Sequence, residues 1–227
     1  IESDACMIAG PSDQIVFNEE AFRKNVLGGL AFVAANNSFL TMGVKPTRPE
    51  PGYGYIQMGD PQEKYVYKVK SFTEKPDREF AKMFMDSGEF YWNTGLFLSN
   101  VNHLREEFSR FLPPVLRSLD EINVHASVQE EENYMQEHFT AYPNLSVDMG
   151  ILEKSDHVSV MKCEFGWADV GTWHGIYEAL PKNNENNVVI DSDVILDNCH
   201  GNIIKLPKGR LGVIYGLEDF IVAEKDN

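Results

Sequence analysis

Apolar positions along the chain follow two different spacings, which predict alternating strands and helices up to about residue 180. Short apolar runs that stop at Gly, Pro or polar residues predict strands at residues 5–9, 39–44, 65–72, 91–98 and 158–160. Apolar residues at helical spacing predict helices after Asn18, Asp77 and Thr172, whose side chains suit helix N-caps. Further helices are predicted at residues 102–119 and 129–139, with two prolines interrupting the first. Strands that alternate with helices are typical of a layered α/β fold.

The pattern changes after Pro181. Short β-branched runs bounded by Asp, Asn or Gly lie at residues 188–190, 194–196, 203–204, 213–214 and 220–222. This pattern predicts a small all-β module of turns and short strands. No repeat in it is regular enough to predict a long solenoid. We therefore predict an α/β domain over residues 1–183, followed by the start of a β module over residues 184–227.

Composition and charge exclude several classes of function. The chain has 227 residues and a formal net charge of −15. Its basic residues are sparse and mixed with acids, whereas a nucleic-acid groove needs clustered Lys and Arg. No apolar stretch approaches the ~18 residues of a membrane helix. We predict a protein that binds neither nucleic acid nor membrane, and whose phosphate ligands would require a local cation.

The cysteines and the first residues predict the compartment. Cys6, Cys163 and Cys199 are too few and too scattered for a disulfide framework or a zinc site, so we interpret them as reduced thiols in the cytoplasm. The first four residues carry acids and no base, which is not typical of a signal peptide. Because the sequence does not begin with Met, we expect the natural start to lie upstream.

Two aspartates are candidate metal ligands. Asp13 follows the first predicted strand, and Asp169 lies between another strand and the helix that begins after Thr172. Ligands of open α/β sheets bind beyond the carboxyl ends of strands, and Mg²⁺ takes one or two carboxylates together with substrate phosphates. The competing interpretation is that both are ordinary turn residues. Trp167 and Trp173, beside Asp169, are interpreted as core residues.

Three other residues have the chemistry of a sugar-phosphate site. Glu74 can accept hydrogen bonds from sugar hydroxyls, Lys75 offers a charge to a phosphate, and Pro76 stiffens the turn that carries both. Asn93, close to Gly95, can present its amide to hydroxyl groups. The alternatives are a surface turn for the first segment and a bulge in a sheet for the second.

Five segments, taken in order, resemble bacterial mannose-1-phosphate guanylyltransferases of the sugar-1-phosphate nucleotidyltransferase family. The matching segments are residues 46–56, 72–76, 92–97, 148–155 and 165–173. The resemblance implies a Rossmann-like nucleotidyltransferase core, here partial, followed by a β module. It also implies Mg²⁺ as cofactor. The implied metal ligands are Asp13 and Asp169, and the implied substrate contacts are Gly54, Glu74, Lys75 and Asn93.

The sequence departs from the family at two places. The family's Pro-Ala/Ser-Asp segment usually continues with His, whereas Gln14 follows Asp13 here. The Gly-rich loop that holds the nucleotide phosphates in the family is absent from this sequence. We therefore expect that residues 1–227 are inactive by themselves and that the nucleotide-binding segment precedes Ile1.

The implied reaction transfers GMP from GTP to mannose-1-phosphate, giving GDP-mannose and pyrophosphate in the full-length protein. Two alternatives stay open at this point. One is the same chemistry with another sugar or base, and the other is a non-catalytic regulatory or oligomerising paralogue. The sequence also leaves open a homo-oligomer.

Overall fold

The structure is a computed structural model that describes residues 5–122 and 125–225. The described strands, in chain order, are β1 (Cys6–Ala9), β2 (Gln14–Val16), β3 (Phe39–Val44), β4 (Gly54–Glu63), β5 (Val66–Thr73), β6 (Phe90–Asn100), β7 (Val158–Cys163), β8 (Trp167–Asp169), β9 (Val188–Ile190), β10 (Asp193–Asp197), β11 (Ile203–Lys205), β12 (Leu211–Tyr215) and β13 (Ile221–Ala223). The described helices are α1 (Glu19–Ala35), α2 (Arg78–Ser87), α3 (Val101–Phe111), α4 (Pro113–Asp120), α5 (Val128–His138) and α6 (Trp173–Ala179). A 3₁₀ turn covers Phe139–Ala141, and a π-helix covers Asp148–Leu152.

The chain packs as two compact units. The first contains the residues up to Pro11 together with Asn18–Gly166, and the second contains Ser12–Phe17 and the residues from Trp167 onward. The domain boundary predicted between residues 183 and 184 stays a prediction. No helix in the described part of the chain is long and apolar enough to cross a membrane.

The first unit is built on a six-stranded mixed sheet. Its strands run in the order β1-β6-β3-β7-β5-β4, and β6 also pairs with β4. β3 and β7 pair in parallel, and the other described pairings of this sheet are antiparallel. β3 is buried at every position because it lies between β6 and β7, which explains its unbroken apolar run.

The predicted strands of the first unit are confirmed, but β4 was missed in the sequence. β4 contains Gly59 and Pro61, two residues of types that are depleted in strands. Its first four residues pair with β6 and, from Tyr55 onward, also with β5, whereas the part that contains Pro61 pairs with β5 alone, and its last four residues are exposed. An edge strand tolerates a proline because its N–H groups are not all needed for pairing.

The predicted helix starts are confirmed by their caps. The side chains of Asn18, Asp77 and Thr172 accept hydrogen bonds from backbone N–H groups at 3.0, 2.9 and 3.0 Å. The predicted helix at residues 102–119 is split into α3 and α4 at Leu112, directly before the two prolines. α2 ends at Gly88, whose φ of 71° is the left-handed conformation that glycine adopts without strain.

The π-helix is anchored in the core of the first unit. Ile151 and Leu152 are buried in a cluster with Phe39 and Val158, which come from β3 and β7. This packing fixes the start of the π-helix at Asp148 relative to the sheet.

The second unit contains the predicted all-β module, and its strands pair in parallel. β9, β11 and β13 form one three-stranded sheet, and β10 and β12 form another pair. Val188 lies opposite Ile203, fifteen residues later, and Ile203 lies opposite Ile221, eighteen residues later. These unequal offsets explain why the stacking gives no regular repeat in the sequence.

Candidate functional site

The two predicted metal ligands lie together in the second unit. β2 pairs with β8 so that Gln14 lies opposite Asp169, and the N–H of Val170 donates to the backbone oxygen of Asp13 at 3.0 Å. A Cβ atom added at Gly171 would lie 2.7 Å from Asp13 Oδ2 and 3.0 Å from Asp169 Oδ1. Oxygens of both carboxylates therefore approach one point, which is open because residue 171 is glycine. We call Asp13 and Asp169 the carboxylate pair.

The carboxylate pair forms by a route that the sequence did not predict. Asp13 follows β1 in a loop, as predicted, but it also directly precedes β2, and Asp169 is the last residue of β8. An antiparallel two-stranded pairing brings them together, and neither three-residue strand was predicted because both are too short to show a period.

The donor set of the carboxylate pair suits a hard cation. Mg²⁺ prefers oxygen ligands and keeps several waters or substrate oxygens, so two carboxylates are a sufficient protein contribution. Asp13 is exposed and Asp169 is half-buried. The N–H of Gly171 donates to Asp169 Oδ1 at 2.8 Å, which orients that carboxylate. In residues 5–122 and 125–225 no group of three or more His, Cys, Asp or Glu residues could hold a metal ion.

The other predicted site residues lie together in the first unit. Gly54 on β4 lies opposite Asn93 on β6, and Glu74 directly follows β5, which pairs with β4. A Cβ atom at Gly54 would lie 2.6 Å from Glu74 Oε2 and 3.2 Å from Asn93 Cβ. Gly54 is buried, and its missing side chain leaves the space for the Glu74 carboxylate. We call Gly54, Glu74, Lys75 and Asn93 the Glu74 cluster.

Glu74 has an unusual electrostatic environment. Burial raises the pKa of its carboxyl group above the usual value, and the negative charge of Asp148 raises it further. Lys75, whose Nζ lies 3.5 Å from Glu74 Oε1, acts in the opposite direction, and Glu153 makes a smaller contribution that raises the pKa. Perturbed groups of this kind are concentrated at functional sites.

Lys75 combines an exposed charge with a rare backbone conformation. Its side chain is 66% exposed, and its φ is 47°, in the left-handed region that residues other than glycine rarely adopt. Such a conformation is retained only where the surrounding structure enforces it, and it is frequent at ligand-binding sites. The geometry leaves the Lys75 ammonium group available to an anion.

Asn93 lies at a bulge and is held by three hydrogen bonds. The register between β6 and β3 shifts next to it, and Gly95 adopts a φ of 74°. The Asn93 amide oxygen accepts from Thr41 Oγ1 at 2.7 Å and from the N–H of Gly95 at 3.2 Å, and its Nδ2 donates to Asp148 Oδ1 at 2.9 Å. The bulge and the polar role, treated as alternatives in the sequence, therefore occur together.

Asp148 is a residue of this site to which the sequence assigned no role. It lies in the segment 148–155 that resembles the family, and that resemblance is the signal that could have found it. Its contact with Asn93 and its effect on Glu74 join segments that lie far apart in sequence.

The interpretation of Trp173 as a core residue was wrong. Trp173 is 40% exposed, and Trp167 is only half-buried. The close packing next to Asp169 is made instead by Gly175, where a Cβ atom would lie 1.5 Å from the Asp169 backbone oxygen. α6 can therefore begin directly against β8 because it carries glycine at that position.

Curated relatives of this chain are mannose-1-phosphate guanylyltransferases. The enzyme of Escherichia coli strain K12 is 31% identical over 98% of this chain and 47% of its own length. That of Sinorhizobium fredii is also 31% identical, over 92% of this chain and 41% of its own length. The chain thus spans about half the length of the curated relatives it matches. The predicted resemblance to this family is confirmed.

Solved structures support the same fold. A Thermus thermophilus structure, described as a mannose-1-phosphate geranyltransferase, superposes with a TM-score of 0.82 at 29% identity, over 98% of this chain and 63% of that one. A Helicobacter pylori structure, described as a mannose-6-phosphate isomerase, gives 0.62 at 23% identity over 74% of this chain and 66% of that one, which shows the fold alone. The predicted nucleotidyltransferase core followed by a strand-rich region is therefore confirmed.

The sequence profile of the nucleotidyl transferase family matches residues 6–186, which include the carboxylate pair and the whole Glu74 cluster. This match covers most of the chain, so the chain belongs to the nucleotidyl transferase family.

Proposed function

We propose that the protein to which this chain belongs transfers GMP from GTP to mannose-1-phosphate, giving GDP-mannose and pyrophosphate. The observation that carries the proposal is the Glu74 cluster, which combines a carboxylate, an ammonium group and an amide within one unit. The names of the relatives support the choice of sugar and base.

The Glu74 cluster supplies binding and orientation in this reaction. A phosphate oxygen of mannose-1-phosphate forms a bond to the α-phosphorus of GTP, while the bond from that phosphorus to its bridging oxygen breaks. Pyrophosphate leaves with the electron pair of the broken bond. Lys75 holds the incoming sugar phosphate, and Glu74 accepts hydrogen bonds from sugar hydroxyls. Such transfers depend mainly on positioning and charge, so the protein needs no covalent intermediate.

The carboxylate pair is proposed to hold Mg²⁺. When bound, Mg²⁺ offsets the negative charge of the nucleotide phosphates. A local cation is needed because the formal net charge of the chain is −15, which repels anionic substrates. Asp13 and Asp169 would hold the ion, and the Gly171 N–H orients Asp169.

The proposed setting is the cytoplasm, with GTP and mannose-1-phosphate as small-molecule partners. The free thiols of Cys163 and Cys199 agree with a reducing compartment.

A substrate panel on the full-length protein tests the proposed function. Pyrophosphate release is measured with GTP, ATP, UTP and dTTP, each combined with mannose-1-phosphate and with glucose-1-phosphate. We expect GTP with mannose-1-phosphate to give the highest kcat/KM. Preference for another pair would reassign the substrates, and no release with any pair would reject the enzymatic proposal.

The role of the carboxylate pair is tested by Asp169→Asn in the same protein. An amide lacks the charge that favours Mg²⁺, so we expect kcat to fall by roughly two orders of magnitude while the thermal unfolding temperature stays close to the parent value. The matched control is Asp193→Asn, an exposed aspartate on β10 in the same unit, which should leave kcat unchanged. If both variants have equal rates at saturating Mg²⁺, Asp169 is only a turn residue and does not bind the metal.

A further inference from the structure

Asp148 lies beside the Glu74 cluster and takes part in its hydrogen bonding. Its Oδ1 accepts a hydrogen bond from Asn93 Nδ2 at 2.9 Å, and its side chain is half-buried. It is the first residue of the five-residue π-helix. π-helices are rare and frequently occur at functional sites, because they place a side chain where a regular helix would not.

The hydrogen bonds of Asn93 leave one group of its amide for a ligand. An asparagine side chain has two N–H donors and an oxygen that accepts two hydrogen bonds. Both acceptor positions are occupied by Thr41 Oγ1 and the Gly95 N–H, and one donor is bonded to Asp148. Among the described residues this leaves the second N–H, so Asn93 can donate to a ligand oxygen but cannot accept from a ligand.

We infer that Asp148 is a positioning residue, which fixes the Asn93 amide so that its remaining N–H donates to a sugar hydroxyl. This inference rests on the proposed function, since it takes the ligand to be a sugar phosphate. A hydroxyl oxygen that accepts from Asn93 keeps its own hydrogen, which can be donated to the Glu74 carboxylate. A Cβ atom built at Gly54 would lie 2.6 Å from Glu74 Oε2 and 3.2 Å from Asn93 Cβ, so the Glu74 and Asn93 side chains are neighbours beside this glycine. In this arrangement one sugar hydroxyl accepts from Asn93 and donates to Glu74.

The two-sided binding of a hydroxyl gives the site a means of discrimination. A sugar that lacks this hydroxyl leaves both protein groups without a partner, and sites of this kind reject such analogues strongly. Asp148 contributes to this discrimination because its hydrogen bond with Nδ2 acts together with those from Thr41 and Gly95 to keep the amide in one orientation.

Asp148 also acts on Glu74 through its charge. Burial is the main cause of the raised pKa of Glu74, and the charges of Asp148 and Glu153 add to it, whereas Lys75 opposes it. Removing the Asp148 charge lowers the pKa of Glu74, so Glu74 stays ionised to a lower pH. Sugar-phosphate binding that needs the Glu74 carboxylate should then persist to a lower pH. A residue that served only for packing would not change this pH dependence.

Two substitutions at one position separate the hydrogen bond from the charge. Asp148→Asn keeps an oxygen that accepts from Asn93 but removes the charge, whereas Asp148→Ala removes both. On the full-length protein at neutral pH, we expect Asp148→Ala to weaken mannose-1-phosphate binding about tenfold or more, and Asp148→Asn to change it by less than about threefold. In both variants, the pH at which mannose-1-phosphate affinity falls off on the acid side should be lower than in the parent protein. The KM for GTP should stay unchanged.

A ligand-independent measurement tests the position of Asn93 directly. The measurement is the NMR resonance of the Asn93 side-chain amide, which is assigned by its loss in Asn93→Asp. This resonance should shift in Asp148→Ala and stay close to its parent position in Asp148→Asn. The matched control is Asp156→Asn, an exposed aspartate eight residues further along, which should change neither the resonance nor the binding. Thermal unfolding establishes that each variant is folded.

The outcomes separate this inference from the proposed function. The role of Asp148 would be overturned if the Asn93 resonance is unchanged in Asp148→Ala. It would also be overturned if both variants bind mannose-1-phosphate with the affinity and the pH dependence of the parent protein. Either result would count even if the parent protein forms GDP-mannose. If the parent protein forms no nucleotide sugar, calorimetry with mannose-1-phosphate and glucose-1-phosphate still measures binding. The inference would then be supported if Asp148→Ala loses sugar-phosphate binding while the parent protein and Asp148→Asn keep it. It would be overturned if the parent protein binds no sugar phosphate.

Discussion

At the scale of single residues, the backbone of Lys75 allows its charge to be tested apart from its conformation. Its φ of 47° strains any residue with a Cβ atom, whereas glycine adopts it freely. On the full-length protein we expect Lys75→Ala and Lys75→Gly both to raise the KM for mannose-1-phosphate about tenfold, with the KM for GTP little changed. Lys75→Gly should unfold at a higher temperature than Lys75→Ala, because it removes the strain. Steady-state kinetics with each substrate varied in turn measures the first effect.

The matched control for Lys75 is Lys82→Ala, which removes an exposed lysine of α2 that pairs with Asp86. Exposed ion pairs of this kind contribute little, so both KM values should stay at the parent level. An increase in the KM for GTP alone in the Lys75 variants would assign Lys75 to the nucleotide and contradict the proposed role of the Glu74 cluster.

The residues of the candidate site differ in how far the sequence could predict them. Glu74 and Lys75 lie in a local segment with a recognisable motif, and their chemistry follows from residue type. Asp148 could not be assigned, because its bond to Asn93 joins residues 55 positions apart and its effect on Glu74 depends on burial. The approach of Asp13 to Asp169 likewise requires the β2–β8 pairing, which three-residue strands do not reveal.

At the scale of elements, adjacent glycines in α1 have opposite surroundings. A Cβ atom at Gly28 would lie 4.0 Å from its nearest neighbour, the end of Met161, whereas one at Gly29 would lie 3.1 Å from both Leu40 and Leu98. Gly28→Ala should therefore stabilise the protein by about 0.5–1 kcal/mol, since alanine loses less backbone entropy in a helix. At Gly29 the crowding should offset that gain. Urea unfolding of both variants measures the difference, and a larger gain for Gly29→Ala would contradict this account.

Elements were predictable where local signals decide them and were missed where pairing decides them. The caps at Asn18, Asp77 and Thr172 marked helix starts correctly because a cap is a contact between residues close in sequence. β4 was missed because its glycine and proline residues oppose strand formation, and pairing with β5 and β6 overrides them. The parallel stacking of the C-terminal strands was missed because their offsets are unequal.

At the scale of the whole molecule, a polar pair is buried inside the first unit. His103 is 2% exposed and Glu107 is 4% exposed, both on α3. Burial lowers the pKa of His103 below its usual 6.5. The charge of His157 acts in the same direction, whereas the charges of Glu107 and Glu106 and a hydrogen bond with the His157 backbone oppose it. The folded protein therefore favours neutral His103, packed 5.2 Å from the ring of Phe39. His103 therefore couples the stability of the first unit to pH.

The direction of that coupling follows from proton uptake. When the pH falls below 6.5, the unfolded chain protonates His103 before the folded protein does, so the unfolded state gains stability. The contribution of His103 is complete above pH 6.5 and is lost as the pH falls towards its lower folded-state pKa.

We expect the difference in unfolding free energy between the parent protein and His103→Asn to shrink as the pH falls from about 7.5 to about 5, the range in which histidine titrates. The asparagine side chain of the variant does not titrate, so the variant lacks the proton-linked loss of stability that the parent suffers. Urea unfolding monitored by circular dichroism, at several pH values, measures this difference. The control is His174→Asn, which replaces an exposed histidine of α6. The unfolding free energy of this variant should follow that of the parent protein at every pH. A pH-independent difference for His103→Asn would mean that the buried ring contributes by packing alone, with no linkage to proton uptake.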